Sequence, residues 1–191
     1  MRKLYVGENN EVVSSEELQD SLQTGIESGS IEPETTLEQY IADCKRGGLE
    51  ELTNADALAI AEALELDNDQ ITELLDRMDS EDDIDFELAG ARIIHRDFID
   101  GIQQEELLSD LYCLGCFNAN SLADYLPLDT EDIKQLQKSE AYTALGKIAS
   151  KYIKEIQEGY AAADGYGHHF NGHDFSEIET DHYYVFPRAA E

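Results

Sequence analysis

The sequence predicts a mostly helical α+β protein with several short helices and one small antiparallel sheet. Three observations support this fold class. Apolar residues recur at helical spacing along most of the chain. Capping patterns and glycines divide these stretches into short helices. Residues that favour strands are concentrated in the region 86–95 and at the two chain ends, which are expected to form the sheet.

The N-terminal part of the chain is expected to begin with a strand and a helix. Arg2–Val6 indicates a short strand. Ser14 and Glu17 form a capping-box pattern, so a helix is expected to begin there. It should run to about Gln23, with Gly25 as its end.

A second N-terminal helix is expected to begin near Pro33, because proline suits the first turn of a helix. Gly47-Gly48 should end it. Its apolar face would consist of Leu37, Tyr40, Ile41 and Cys44.

The segment 49–88 combines dense negative charge with helical spacing. It holds fifteen Asp and Glu residues and one base, Arg77. We expect Thr53 with Asp56 to cap a first acidic helix, and Asp67 to cap a second through a capping box. The apolar positions on these helices are Leu58, Ala61, Leu64, Leu66, Ile71, Leu74, Leu75 and Met78. The carboxylates are therefore expected on the outside of ordered helices rather than in a disordered tail.

An acidic link over 80–85 leads into a hairpin, predicted over Phe86–His95 around Ala89-Gly90. A helix should follow, and Gly115 is expected to end it. Its apolar residues are Phe98, Ile102, Leu107, Leu108 and Leu111.

The pattern of the second acidic helix returns sixty-two residues later, since Leu64–Leu74 aligns with Leu126–Leu136. In each copy an aspartate, Asp67 or Asp129, stands where a helix cap is needed between two short helices. We interpret the two segments as copies of a helix–turn–helix hairpin. The alternative is a chance likeness between two common helix patterns.

The first hairpin has the core spacing of DNA-reading helical pairs, but its second helix has the wrong surface for that role. A DNA reader presents Arg, Lys, Asn or Gln to the bases. This helix presents Asp69, Thr72, Glu73 and Asp76. Because carboxylates repel phosphates, the likeness is accepted for packing and rejected for DNA binding.

Glu140–Gln157 is predicted as the longest helix, and from Gly159 onward glycine, aromatic residues and histidine dominate. Tyr183–Phe186 favours a final strand beside either Arg2–Val6 or Ile93-Ile94. The long helix and the segment before it carry a cluster of bases, which are Lys134, Lys138, Lys147, Lys151 and Lys154.

These expectations divide the chain into three segments, forming one or two compact domains. Residues 1–48 would supply the N-terminal strand and helices. Residues 49–158 would form a helical core with the duplicated hairpin. Residues 159–191 would form a Gly-, aromatic- and His-rich tail that ends in a strand.

No enzyme signature is found, so neither catalysis nor a cofactor is expected. Cys113-x-x-Cys116 has the spacing of half a zinc site or of a dithiol pair, but its apolar neighbours favour buried thiols at a helix end. Weak candidates for a metal site are His168, His169, His173 and Asp174. The alternative for these four is an aromatic–His surface loop with tight glycine turns, because glycines argue against a helix there.

The formal net charge is −30, from 43 acids and 13 bases. Such a chain repels nucleic acids and anionic membranes, so partners selected by charge should be basic.

The start of the chain lacks an apolar run behind its basic pair, so no signal peptide is expected. Three cysteines, an odd number, favour reduced thiols and a cytoplasmic location.

The amount of charge corresponds to that of a short DNA segment. A compact domain of this length is on the order of 40 Å across, and duplex DNA of about 40 Å carries about 24 phosphate charges. Acidic helices in a chain without enzyme signatures resemble the DNA mimics among phage and mobile-element anti-defence proteins, which block restriction enzymes or CRISPR effectors. The segments Ala163–Phe170 and Tyr183–Phe186 are also similar to the tails of small phage-encoded proteins.

This resemblance implies a protein that occupies a basic nucleic-acid-binding groove, with no cofactor and no catalysis. The residues expected to contact the partner, called the acidic set below, are Glu62, Glu65, Asp69, Glu73, Asp76, Asp79, Glu81, Asp82, Asp83 and Asp85. Two alternatives stay open: a helical adaptor whose acidity serves solubility, and a metal-binding protein. The lysine cluster also suggests a homodimer that docks lysines on acids, or else neutralisation within one chain.

Overall fold

The structure, a computed structural model, describes residues 3–8, 10–171 and 176–188. The chain forms two compact units. The first unit comprises Met1–Ile93 and Ile178–Val185, and the second comprises Ile94–Glu177 and Phe186–Glu191. The division near residue 93 falls inside the predicted segment 49–158. The mostly helical α+β class predicted from the sequence is confirmed.

The described residues form short helices and strands throughout. The strands are β1 Leu4–Val6, β2 Val12–Ser14, β3 Glu50–Glu51, β4 Asp85–Leu88, β5 Ala91–His95, β6 Ile178–Glu179 and β7 Tyr183–Pro187. The helices are α1 Ser15–Glu27, α2 Leu37–Arg46, α3 Ala55–Ala63, α4 Asn68–Met78, α5 Ile99–Ser109, α6 Leu111–Cys116, α7 Ala119–Ala123, α8 Thr130–Lys138, α9 Tyr142–Ala149, α10 Ile153–Asp164 and α11 Gly167–Phe170.

The N-terminal strand belongs to a small sheet of its own, with strand order β2-β1-β3. Tyr5 lies opposite Val13 on one side and Glu51 on the other, both antiparallel. The expectation of one sheet that joins both chain ends was therefore wrong. The reason is local: a tight turn after Val6 folds the chain back, and β3 then takes the other edge of β1. Arg2 lies outside the described residues.

The second sheet has the strand order β4-β5-β7-β6. The predicted hairpin is confirmed, and its turn residues Ala89 and Gly90 have φ angles of 49° and 75°, as a two-residue type I′ turn requires. The predicted final strand is also confirmed, and its neighbour is β5 rather than β1. Tyr183–Phe186 are each no more than 8% exposed, which is expected of an interior strand.

Three glycines that were expected at helix ends or beyond them lie inside helices. Gly25 is within α1, Gly115 within α6 and Gly159 within α10. A Cβ atom at these positions would lie 2.3 Å from a carbon of Ile31, 2.4 Å from a ring carbon of Tyr142 and 1.9 Å from the Tyr125 hydroxyl, respectively. These glycines therefore serve close packing rather than helix termination, which a sequence pattern does not distinguish.

Several helix limits also differ from expectation. The second helix begins after Thr36, which forms a capping box with Gln39, so Pro33 precedes the helix. Phe98 precedes α5 and is 45% exposed. The predicted helix Glu140–Gln157 is two helices, α9 and α10, separated at 150–152, and α10 continues beyond the predicted start of the tail.

Two of the three caps predicted in the first unit are confirmed. Ser14 and Glu17 form the predicted capping box of α1. Asp67 and its partner do so for α4. The predicted cap of α3 was wrong, because Asn54 accepts the hydrogen bond from the Ala57 amide at 3.1 Å.

The two predicted helical hairpins, α3–α4 and α7–α8, are both present. Asp67 and Asp129 each cap the second helix of their hairpin. The turns differ, however: Glu65 has a left-handed φ of 52°, whereas proline fixes φ near −65° at the matching Pro127. The common elements are therefore the cap and the apolar spacing, and a duplication as their origin stays a prediction.

Each unit has its own apolar core. In the first unit, α3 and α4 bury Ile60, Ile71 and Leu74 against both sheets. In the second unit, the helices α6–α10 bury a separate cluster that includes Ile133 and Leu145. Among the described residues, the helices are all too short or too polar to cross a membrane.

Candidate functional site

The acidic set lies entirely in the first unit, on α3, α4, the turn between them and the segment that leads into β4. Nine of its ten members are exposed, and Asp83 is half-buried. The expectation that these carboxylates lie on the outside of ordered helices and their link is confirmed for those nine. Whether they contact a partner stays a prediction.

Helix α4 holds its acids on one side because of their spacing. Asp69, Glu73 and Asp76 follow an i, i+4, i+7 pattern, which places side chains on one helix face. Leu74 and Leu75 on the opposite side are buried. At about 1.5 Å per residue, the stretch from Asp69 to Asp79 is about 15 Å long. Its four exposed carboxylates are on average about 5 Å apart along the helix axis, a wider spacing than the axial rise of about 3.4 Å per phosphate along one DNA strand.

Two arginines neutralise part of the acidic set. Arg77 lies 3.3 Å from an Asp83 carboxylate oxygen and 3.9 Å from one of Glu73. Arg92 donates to both oxygens of Asp85, from Nε at 2.8 Å and from Nη2 at 2.5 Å, across the β4–β5 hairpin. These three acids therefore contribute less to the outward negative field than the sequence suggests.

Seven members of the acidic set form no ion pair with any described base. They are Glu62, Glu65, Asp69, Asp76, Asp79, Glu81 and Asp82. Two of them are positioned by a neutral group, because the Asn10 side-chain amide donates to Asp76 at 2.8 Å and to Asp79 at 3.3 Å. An amide fixes the two carboxylates without removing their charge. No sequence pattern predicts this contact, since Asn10 is 66 residues from Asp76.

The excess of acids is uneven between the units. By sequence, the first unit contains 27 acids and 6 bases, whereas the second contains 16 acids and 7 bases. Most of the net charge is therefore in the unit that carries the acidic set.

Asp56 is the exception among the acids of α3, because it is buried. It accepts hydrogen bonds from the His182 amide at 3.2 Å and from His182 Nδ1 at 2.8 Å. Burial alone would raise the pKa of this carboxyl, but the hydrogen bonds from Thr180 and His182 hold the pKa below its usual value. Asp56 therefore stabilises the first unit and is not available to a partner.

Asp56→Asn is expected to lower the free energy of unfolding at pH 7 by about 1–3 kcal/mol, because a charged acceptor is lost. Since the folded-state pKa of Asp56 is lowered, its stabilisation is present above the ordinary carboxyl pKa of about 4 and disappears as the pH falls through the folded value. Urea unfolding at pH 7 and pH 3 measures this difference.

The matched control for that measurement is Asp181→Asn, which removes an exposed carboxylate from the same part of the first unit. Its free energy of unfolding should stay within about 0.5 kcal/mol of the parent value. Equal losses in the two variants at pH 7 would contradict a special role for Asp56.

The thiols of Cys113 and Cys116 lie in the short helix α6. The expectation that both are buried was wrong, since Cys116 is exposed and Cys113 is half-buried. Burial, followed by the Asp110 carboxylate, raises the pKa of the Cys113 thiol above its ordinary value. A thiol that stays protonated is a poor metal ligand and a poor nucleophile, so the zinc and dithiol interpretations lose support.

The histidines near the C-terminus are divided between the units. His182 pairs with Asp56 in the first unit. His168 and His169 lie in α11, where a loop was expected, and His169 Nε2 is 3.0 Å from a Glu106 carboxylate oxygen. The other two metal candidates, His173 and Asp174, lie outside the described residues.

No group of three or more His, Cys, Asp or Glu side chains is placed to hold a metal ion within residues 3–8, 10–171 and 176–188.

Two bases of the lysine cluster pair locally, since Lys134 lies 3.0 Å from Glu131 and Lys154 lies 3.7 Å from Glu158. Neutralisation within one chain therefore accounts for these two lysines. The homodimer stays a prediction.

Known proteins offer no guide to this site. No protein-family model, curated protein or solved structure matches the chain. The function has to be inferred from its own residues.

Proposed function

We propose that this protein is an acidic inhibitor of DNA-directed defence systems. It binds a basic nucleic-acid-binding groove of a defence nuclease or a CRISPR effector complex, mimics DNA and blocks access of the target DNA. The observation that carries this proposal is a group of seven exposed carboxylates on α3, the turn after it, α4 and the link to β4, none of which pairs with a base in the part of the chain that the structure describes.

The physical basis is electrostatic complementarity with little loss of entropy. A groove built for duplex DNA is lined by Lys and Arg, and neutralising them releases counterions. Carboxylates on helices packed on a core are already ordered, so less conformational entropy is lost on binding than for a disordered acidic chain. The protein needs no cofactor for this role, and it acts in the cytoplasm of the host cell.

Direct binding to DNA is not part of this proposal. Helix α4 presents Asp69, Glu73 and Asp76 where a DNA-reading helix presents donors to bases. At close range these groups repel phosphates, so nucleic acid is the competitor of this protein rather than its ligand.

The test uses hosts that each carry one restriction nuclease or one CRISPR effector complex. Efficiency of plating of a targeted phage is measured with and without expression of this protein. In a host whose system is inhibited, plating should rise towards the level of the same host without the system. Unchanged plating in every host of both classes would contradict the proposal.

For an inhibited system, the purified effector then shows whether inhibition is competitive. Binding of this protein should weaken steeply between low and moderate salt, since both partners are highly charged. Excess duplex DNA carrying the recognition sequence should displace it, whereas a neutral crowding polymer at equal mass should not. Simultaneous binding of DNA and this protein would argue against mimicry.

A further inference from the structure

The second unit contains a cavity of about 360 Å³ that the acidic set does not share. Helices α5, α6, α7, α10 and α11 line it. Its floor is apolar, because Leu107, Leu122 and Ile156 are each no more than 1% exposed and face it. This volume lies in the usual range of small-molecule pockets, which is about 300–1,000 Å³.

Aromatic rings form the walls of the cavity, with Tyr160 at their centre. Its ring meets Phe117 edge-to-face with centroids 4.8 Å apart. His168 and His169 lie at right angles to it, with centroids at 5.7 and 6.0 Å. Tyr125 lies against the chain at Gly159, where any side chain would displace its hydroxyl. These contacts hold a set of rings around one space.

The charge of the lining has a single sign. Among the described residues that line the cavity, and apart from the two histidines, the side chains with a full charge are the carboxylates of Asp124 and Asp164, and none is Lys or Arg. Both aspartates are exposed, and their carboxylates have no hydrogen-bond or ion-pair partner among the described residues. Burial, the Asp164 carboxylate and Cys113 raise the pKa of Tyr160 to about 12, so its ring stays neutral.

We propose that this cavity binds a small organic cation with an apolar body, such as an aryl-alkyl amine. The body contacts the apolar floor. The ammonium group lies against the aromatic faces and near the two carboxylates, because ring faces and carboxylates both attract a cation. An anion of the same shape would face only repulsion from Asp124 and Asp164. This site is independent of the proposed inhibitory function, since it shares no residue with the acidic set.

The test compares three probes of similar shape and different charge: 2-phenylethylammonium, 2-phenylethanol and 3-phenylpropionate. Each is titrated into the ¹⁵N-labelled full chain, and amide shifts of Gly159, Tyr160 and Ala163 are followed. We expect saturable shifts with the cation and no binding of the anion. The affinity for the alcohol should be lower than that for the cation by a factor of about ten or more. Equal affinity for cation and alcohol, stronger binding of the anion, or no binding of any probe would overturn the proposal.

Two variants locate the interaction. Asp124→Asn with Asp164→Asn should lower the affinity for 2-phenylethylammonium roughly tenfold and leave that for 2-phenylethanol unchanged. Tyr160→Leu should lower the affinity for the cation by roughly five- to thirtyfold. Circular dichroism and thermal unfolding verify that each variant is folded.

The matched control is Glu105→Gln with Asp132→Asn, which removes two exposed carboxylates of the second unit that do not line the cavity. Equal losses in this control would assign the effect to net charge and overturn the site. A final arm uses acetylarginine methylamide in place of the free amine. Tighter binding of that probe would assign the cavity to an arginine side chain of a protein partner, and the free amine would be the wrong ligand.

Discussion

Reversal of four unpaired acids to lysine, at Asp69, Asp76, Glu81 and Asp82, is expected to abolish inhibition of the sensitive defence system. Each reversal replaces an attraction to the basic groove by a repulsion. At about 1 kcal/mol for each exposed position, the affinity should fall about a thousandfold. Efficiency of plating and binding to the purified effector measure this loss. The fold should persist, because all four side chains are exposed.

The control for this variant makes the same change in charge elsewhere in the first unit. Asp20, Glu32, Glu34 and Glu38 are exposed acids on α1, α2 and the loop between them. Their reversal to lysine should leave most of the inhibition. If both variants lose inhibition equally, net charge rather than the acidic set is responsible. If the first variant still inhibits, mimicry by these residues is excluded, and shape or apolar contacts hold the partner.

Leu74→Ala is expected to destabilise the first unit by about 2–5 kcal/mol, because it leaves a cavity under α4 where Leu74 is fully buried. The variant keeps every charge of the protein. If inhibition depends on ordered carboxylates, it should decline at the temperature where hydrogen exchange shows α3 and α4 to be open. Hydrogen exchange followed by mass spectrometry and plating at the same temperatures measure both properties.

Leu145→Ala is the counterpart in the second unit, where Leu145 is likewise fully buried. It should destabilise the core of α6–α10 by a similar amount and leave inhibition intact, since the acidic set belongs to the other unit.

Full inhibition by Leu74→Ala with α4 unfolded would show that disordered negative charge is sufficient. The role proposed for the helices would then be wrong.

The features predicted correctly from the sequence depend on neighbours a few residues away. The capping boxes at Ser14 and Asp67 and the cap at Asp129 each join a side chain to an amide within three residues, so the pattern contains both partners. The misplaced helix limits involve tertiary contacts. Gly25 and Gly115 lie inside helices, and a side chain from beyond each helix, Ile31 or Tyr142, occupies the space of the missing Cβ. Sequence spacing does not contain that information.

The same division applies to the candidate site. Helical periodicity was enough to place the acids on exposed positions, because burial of one face leaves the other to solvent. It did not indicate which acids have a partner elsewhere in the chain. Arg92 reaches Asp85 through the hairpin, and Asn10 reaches Asp76 across 66 residues. His182 reaches Asp56 across 126 residues. The ion pairs of Arg77 and Arg92 leave seven members of the acidic set without a charged partner among the described residues.

The left-handed Glu65 places a constraint on any attempt to stabilise this chain by design. A non-glycine residue with a φ of 52° costs about 1–2 kcal/mol, and glycine would remove that cost. A stability-guided redesign would therefore include Glu65 among its targets and would delete a carboxylate of the acidic set. At this turn, glycine would lower the conformational energy of the backbone, whereas glutamate supplies a surface charge. The natural sequence has the glutamate.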